Sequence, residues 1–394
     1  MTELTSFNNH LPFKVRFGEE VALTLPDVLV ELGSTSVFVM VDEGIENFNP
    51  AAARLIERIG SIPGLTVTRF DKSPAEPTIA MVDDATAALK TSGATALVAL
   101  GGGSVMDTAK ASRLCAQHGI GFAEFLATQP GYPVPEVPLI CIPTSAGTGS
   151  EVSGGSVVSD PEAGKKSGIA NANLRAQYAL VDPLLTYSMP PSMTANTGID
   201  ALAQAIAGVL AKVSTPIGDG IGLEAIRMMT PALVAAYKDG SDAHARAAMS
   251  CGSMMAGLTM NISDCTSEHS LGQAIGGIKH VPHGLTIGLV LAETLERECA
   301  HIPEKLERVA DAMGEPDDGS RDGSRAVRAV RRILAQLDFP VLSSIGISEA
   351  DLDLLADLAL ADFFITMAPA PWTKAEVIDA FTKALSLTDR SAQA

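Results

Sequence analysis

The apolar pattern of this chain changes once, at Pro190-Pro191, and that change limits the fold more than any other feature. Before it, short runs rich in β-branched residues alternate with helical stretches. Ser36 to Val41, Leu65 to Phe70, Ala94 to Leu100, Val137 to Ile142 and Tyr178 to Val181 read as strands. Between them, Ala51 to Ile59, Pro77 to Thr91 and Val105 to Gln117 read as helices. Strands that alternate with helices are joined by crossovers, and crossovers give a parallel sheet. Gly155 to Ala170, with Asp160-Pro161 between two β-like runs, predicts a hairpin. After Pro191 the apolar spacing is helical through Thr194 to Leu210, Ile217 to Tyr237, His244 to Met260 and onward. The expected architecture is therefore an α/β domain with a parallel sheet over residues 1–190 and an all-helical domain over 191–394. Asp318 to Arg325, a short tandem of turn formers, is expected to be an exposed loop.

Size and composition agree with two cores. The 394 residues exceed the roughly 250–300 at which one core stops growing. Aromatics are only 4%, so small and branched residues must do the packing, as suits parallel strands and close helices. A net charge of −18 repels nucleic acid phosphates and anionic membranes, which argues against either as a partner. No apolar run reaches the length of a membrane span. Met1-Thr2-Glu3-Leu4 lacks the basic and apolar regions of a secretory leader. Cys115, Cys141, Cys251, Cys265 and Cys299 are scattered and form no CxxC pair, which predicts reduced, mostly buried thiols and a cytoplasmic setting.

Two turns carry chemistry. Leu97 to Leu100 runs straight into Gly101-Gly102-Gly103-Ser104, and a helix follows. Glycines there let backbone N–H groups approach a phosphate, and the helix N-terminus favours the anion. The alternative is a plain tight turn with Ser104 as N-cap. The second turn, Pro143 to Glu151, is dominated by glycines and hydroxyls at the end of the fourth strand, which suits pyrophosphate and ribose; taken alone it is an ordinary connection, and its pairing with the first turn in one sheet favours the binding role. Asp42 closes the first strand, where a carboxylate accepts ribose hydroxyls; as an alternative it is a cap or turn residue.

These segments resemble a known family. Gly101 to Ser104 with Asp107 and Lys110 is similar to the GGGSxxDxAK segment of the iron-containing (group III) alcohol dehydrogenases. Pro143 to Glu151 resembles that family's PTTxGTGSE, with Ser145 in place of the second Thr. Val181-Asp182-Pro183, Pro190 to Leu202, Thr215-Pro216 through Ile226 and Val281 to Gly284 continue the likeness. The resemblance implies a dinucleotide domain and a helical domain, with NAD(H) in the cleft between them. Asp42, Gly101, Gly102, Gly103, Ser104, Asp107, Thr144, Ser145 and Thr148 would serve the cofactor, and the Asp at 42 goes with NAD over NADP. A divalent metal, usually iron or zinc, would lie beside the nicotinamide. The implied reaction is hydride transfer between a small alcohol and its aldehyde or ketone, in a homodimer or larger assembly.

The implied metal ligands are Asp200, His269 and His283, but the fourth position holds Gln204 where the family has His. Asp200 and Gln204 are four residues apart and share one helix face. An amide oxygen is a weaker donor to iron or zinc than imidazole, so weaker binding, altered metal choice or a site that has lost its metal is expected. A further family histidine, associated with proton transfer, is Gln273 here. His280 could take over as a proton shuttle; otherwise it is an exposed loop histidine. Without a metal, His269 or His283 would have to serve the substrate oxygen as hydrogen-bond or proton donor. Two other readings stand beside the alcohol dehydrogenase: a related reductase (maleylacetate reductase-like or glycerol dehydrogenase-like), and a catalytically idle NAD-binding subunit. No Arg cluster marks the substrate, which points to a small, weakly charged molecule, although Lys279 leaves room for an anion.

Overall fold

Six strands form one fully parallel sheet in the first half of the chain, and every element after Pro191 is helical among the described residues. The structure is a computed structural model that describes residues 7, 11, 13–73, 76–160 and 165–385. Met1 to Leu4 and the tip of the hairpin at Pro161 lie outside the described residues.

The first half runs β1 (Lys14–Phe17), α1 (Leu25–Glu31), β2 (Ser36–Asp42), α2 (Pro50–Gly60), β3 (Thr66–Ser73), α3 (Ile79–Ser92), β4 (Ala96–Gly101), α4 (Gly103–His118), α5 (Phe122–Thr128) and β5 (Leu139–Pro143). The hairpin β6 (Gly155–Asp160) and β7 (Lys165–Ala170) pairs antiparallel as expected, and β8 (Tyr178–Val181) completes the sheet. Strand order is β1-β8-β5-β4-β2-β3. From β2 the chain steps to β3 on one side, and β4, β5 and β8 then build outward on the other. The direction of winding therefore reverses between β2 and β4, which is where open α/β sheets leave a crevice at their carboxyl ends. Three short elements, β1, α1 and α5, were not legible as periodic runs. β1 is a four-residue edge strand whose side chains are mostly exposed, so no apolar alternation marks it.

The helical half comprises α6 (Pro191–Leu210), α7 (Pro216–Lys238), α8 (Ala243–Ser263), α9 (Ser267–Ile278), α10 (His283–Gly288), α11 (Leu291–Glu298), α12 (Pro303–Ala312), α13 (Ser324–Gln336), α14 (Leu352–Ala361) and α15 (Lys374–Leu385). Its core is one continuous Ala, Leu, Ile and Met cluster around α6. Asp318 to Arg325 is not wholly an exposed loop. Ser324 opens α13, and Arg325 is buried, donating to Glu307 Oε2 at 2.7 Å and Asp311 Oδ1 at 2.9 Å. Turn chemistry describes its first part only, because two acids on α12 draw the guanidinium inward.

The two halves meet where the turn after β5 touches α8. Asn261 on α8 donates to Val152 O at 3.0 Å and accepts from Gly154 N at 3.1 Å. Gly149 has φ +61°, and a Cβ there would lie 2.5 Å from Gly257 Cα. Only a residue without a side chain fits both conditions. Gly149→Ala is expected to lower unfolding free energy by roughly 2–4 kcal/mol, from overpacking plus left-handed backbone. Urea denaturation that finds the variant as stable as the parent would show that the joint is not this tight.

Candidate active site

The two glycine-rich turns lie side by side at the carboxyl ends of neighbouring strands, since Gly101 of β4 is in register with Pro143 of β5. Thr144 N donates to Gly101 O at 3.1 Å, joining them. A Cβ on Gly103 would sit 2.8 Å from Thr148 Cγ2, and one on Gly101 would meet Val105 and Asp42. Helix α4 starts at Gly103 with Gly102 as N-cap, and no side chain caps it. Ser104 is thus in the first turn and not the N-cap. An uncapped N-terminus with bare glycines around it suits an anion. Asp42 sits at the tip of β2 and accepts Gly102 N at 3.1 Å, so it ties β2 to the glycine turn across the crevice. Burial pushes its carboxyl up.

Asp107 is a brace. Its carboxylate accepts from Ser150 Oγ at 2.7 Å and Val157 N at 2.9 Å, and Ser156 Oγ donates to its carbonyl. Lys110, fully buried, donates to Ser150 Oγ at 2.7 Å and Gly155 O at 2.8 Å. Together they hold the end of the second turn and the start of the hairpin. Glu151 lies buried in the same place, and burial pushes its carboxyl up to about 7. The folded form therefore keeps a proton that the unfolded chain loses near pH 4.5. Between those values the folded state binds more protons, so this group's contribution to stability falls as pH rises. Glu151→Gln should gain on the parent by roughly 1–3 kcal/mol between pH 4.5 and pH 8. An equal offset at both pH values in urea titrations would refute the bound proton.

The second cluster forms on three helices. α6 carries Asp200 and Gln204, α9 carries His269 and Gln273, and α10 opens with His283. Asp200 Oδ1 lies 3.6 Å from His269 Nε2 and 3.6 Å from His283 Nε2. Small residues permit this. A Cβ on Gly284 would sit 2.0 Å from Asn196 O and 3.2 Å from Asp200 Cβ, so α10 rests directly on α6. A Cβ on Gly147 would sit 2.6 Å from Thr197 Cβ, so the β5 turn abuts α6 less than one helical turn before Asp200. The second glycine-rich turn and the cluster are thereby neighbours.

These residues fit a divalent cation. Gln204 Nε2 donates to Asp200 Oδ2 at 3.1 Å, which sets the amide's orientation. Asp200 Oδ1 and Gln204 Oε1 are then buried with no donor among the described residues. Buried oxygens without a partner are costly unless a positive group faces them. Separations of 3.6 Å are too long for hydrogen bonds. They are close to the roughly 3.4 Å between ligand atoms each about 2.1 Å from a tetrahedral ion. Burial pushes Asp200 up, but His283, His269 and Gln204 outweigh it and hold the carboxyl below its ordinary value. Gln273 stands one turn after His269 and is half-buried, while His280 is exposed in the stretch between α9 and α10. Sequence reasoning passed over Glu268, which accepts His269 Nδ1–H at 2.8 Å. An acid in a helix's first turn is ordinary, so its position alone carried no signal.

The first half of the chain, residues 12–183, matches the model of the iron-containing alcohol dehydrogenases, and residues 194–385 match that family's C-terminal domain. The chain belongs to the iron-containing alcohol dehydrogenase family. It is 33% identical over 351 residues to choline dehydrogenase of Bacillus subtilis (strain 168), spanning 88% of this chain and 85% of that one. It is 30% identical to alcohol dehydrogenase 4 of Saccharomyces cerevisiae (strain YJM789), covering 98% and 99% of the two chains. The crystal structure of sulfoacetaldehyde reductase from Bifidobacterium kashiwanohense in complex with NAD+ superposes with a TM-score of 0.89 at 26% identity, covering 97% and 100%. That of a 1,3-propanediol oxidoreductase does so with 0.90 at 26%, covering 96% and 100%. The expected fold class is the observed one, and the chain is an NAD-dependent oxidoreductase of the alcohol dehydrogenase and aldehyde reductase type. Among the described residues, no helix of this family member is long and apolar enough to cross a membrane.

Proposed function

We propose that this chain interconverts a small, weakly charged alcohol and its aldehyde or ketone by hydride exchange with NAD(H), between the strand tips and the α6–α9–α10 cluster. The observation that carries the reading is the convergence of Asp200, His269 and His283 on one point next to the turn that would seat the dinucleotide. Gly101 to Gly103 and the α4 N-terminus bind the pyrophosphate, Asp42 and Thr144 border the ribose, and Ser145 and Thr148 line the second turn. Asp200, Gln204, His269 and His283 would hold iron or zinc, which supplies Lewis acidity toward the substrate oxygen. The turns and helices fix the relative position of the two reactants, which accounts for much of what a protein adds to cofactor chemistry. Gln273 cannot exchange a proton, so that task falls to His280 at the solvent side. The division at residues 190 and 191 separates the cofactor-binding part from the metal-bearing part.

The test is NADH oxidation over a panel of short aldehydes and oxo-acids, with and without Fe²⁺ or Zn²⁺, beside calorimetry and elemental analysis. Expected are NADH binding, a bound metal and turnover of an uncharged aldehyde. Absence of NADH affinity ends the reading. Gln204→His should raise Zn²⁺ affinity by on the order of tenfold, because imidazole is the better donor. The two glutamines also favour a second reading, an NAD-binding subunit without turnover, which normal NADH binding with no activity over the panel would select.

A further inference from the structure

Behind His269 lies a carboxylate that the reaction scheme leaves unused. Glu268 is 3% exposed. Its Oε1 accepts His269 Nδ1–H at 2.8 Å and Thr266 N at 3.1 Å, and its Oε2 accepts the Thr266 hydroxyl. Both oxygens are therefore occupied and the carboxylate plane is set. An acid that serves only the helix dipole stays near solvent, where its charge costs little. This one is enclosed, with the buried Cys265 close by and its ligand atom within 4.8 Å of those of Glu268 and His269. Among the described residues, neither Glu268 nor Asp200 pairs with a lysine or arginine; their ion-pair partners are His269 and His283. Two buried negative charges thus face two imidazoles and a neutral amide. A divalent ion balances that set, whereas in the site without one the neighbouring acids draw His269 toward its protonated form.

We propose that Glu268 is a positioning residue of the metal centre: it holds His269 in the Nδ1–H tautomer, turns Nε2 toward Asp200, and supplies the second negative charge where Gln204 supplies none. An imidazole that donates one N–H to a carboxylate is a more basic and better-oriented ligand through its other nitrogen. This offsets the weaker amide oxygen of Gln204 on the opposite side. The inference rests on the metal reading given above.

Zn²⁺ affinity is measured by chelator competition for the parent, Glu268→Gln and Glu268→Ala, beside NADH affinity. Ring ¹⁵N spectra of the Zn²⁺-loaded parent read which nitrogen of His269 meets the metal and which keeps the proton. Expected is a loss of about 10–100-fold in Zn²⁺ affinity for Glu268→Ala, with Glu268→Gln between it and the parent, and NADH affinity within twofold of the parent. The ring spectrum should show Nδ1–H. Zn²⁺ affinity within twofold of the parent in the folded variants, or an Nε2–H tautomer, overturns the proposal and leaves the metal reading intact. A parent that binds no Zn²⁺ or Fe²⁺ overturns both. If Glu268→Ala does not fold, the isosteric Glu268→Gln and the parent's spectrum decide.

Discussion

Asp200→Ala is expected to abolish turnover while leaving NADH binding in place. Asp200 Oδ1 is the atom that both imidazoles face, at 3.6 Å each, and Oδ2 holds the Gln204 amide. Removing the carboxylate deletes the anionic group of the proposed metal site and releases Gln204 as well. The remaining donors, two imidazoles and a loose amide, form an incomplete set for iron or zinc. A fall of about a thousandfold or more in kcat/KM is expected, equivalent to roughly 4 kcal/mol of transition-state stabilisation. Bound metal should fall in parallel. NADH affinity should hold, because the glycine turns at β4 and β5 do not use this side chain. Retention of more than a tenth of parental activity by a metal-depleted variant would remove Asp200 from the mechanism.

The second large effect is expected at a residue with no reactive atom. A Cβ at Gly284 would stand 2.0 Å from the carbonyl oxygen of Asn196, one turn before Asp200 in α6. That neighbour is backbone inside a helix and cannot rotate away, so α10 has to move. His283 begins α10 and moves with it. A displacement of about 1 Å at a reacting site costs on the order of a hundredfold in rate. Overpacking adds roughly 1–3 kcal/mol of lost stability. Gly277→Ala is the matched control: it is exposed in α9, and nothing lies within 4 Å of the position its Cβ would take. That change should stabilise by about 0.5–1 kcal/mol and spare activity, as Gly to Ala does inside a helix. If Gly284→Ala and Gly277→Ala behave alike in kcat and in urea midpoint, the close approach of α10 to α6 has no functional weight.

What could be read without a structure was what neighbours in the chain determine. The strand runs at Ser36, Ala94 and Tyr178 and the helical spacing after Pro191 are local periods, and the structure places elements there. The two glycine-rich turns were legible because their composition and their place after a strand both point to the same use. Asp200 and Gln204 share a face through helix geometry alone. The tertiary structure decided the rest. It showed Asp107 serving Ser150 and Val157, Arg325 drawn inside by α12, and Glu268 seated behind His269. Above all it placed α6, α9 and α10 so that Asp200, His269 and His283 meet, through contacts such as Gly284 on Asn196 and Gly147 on Thr197. The reason is physical: periodicity reports which face of an element is apolar, whereas the approach of two elements depends on side chains that are missing, and glycine leaves no periodic mark.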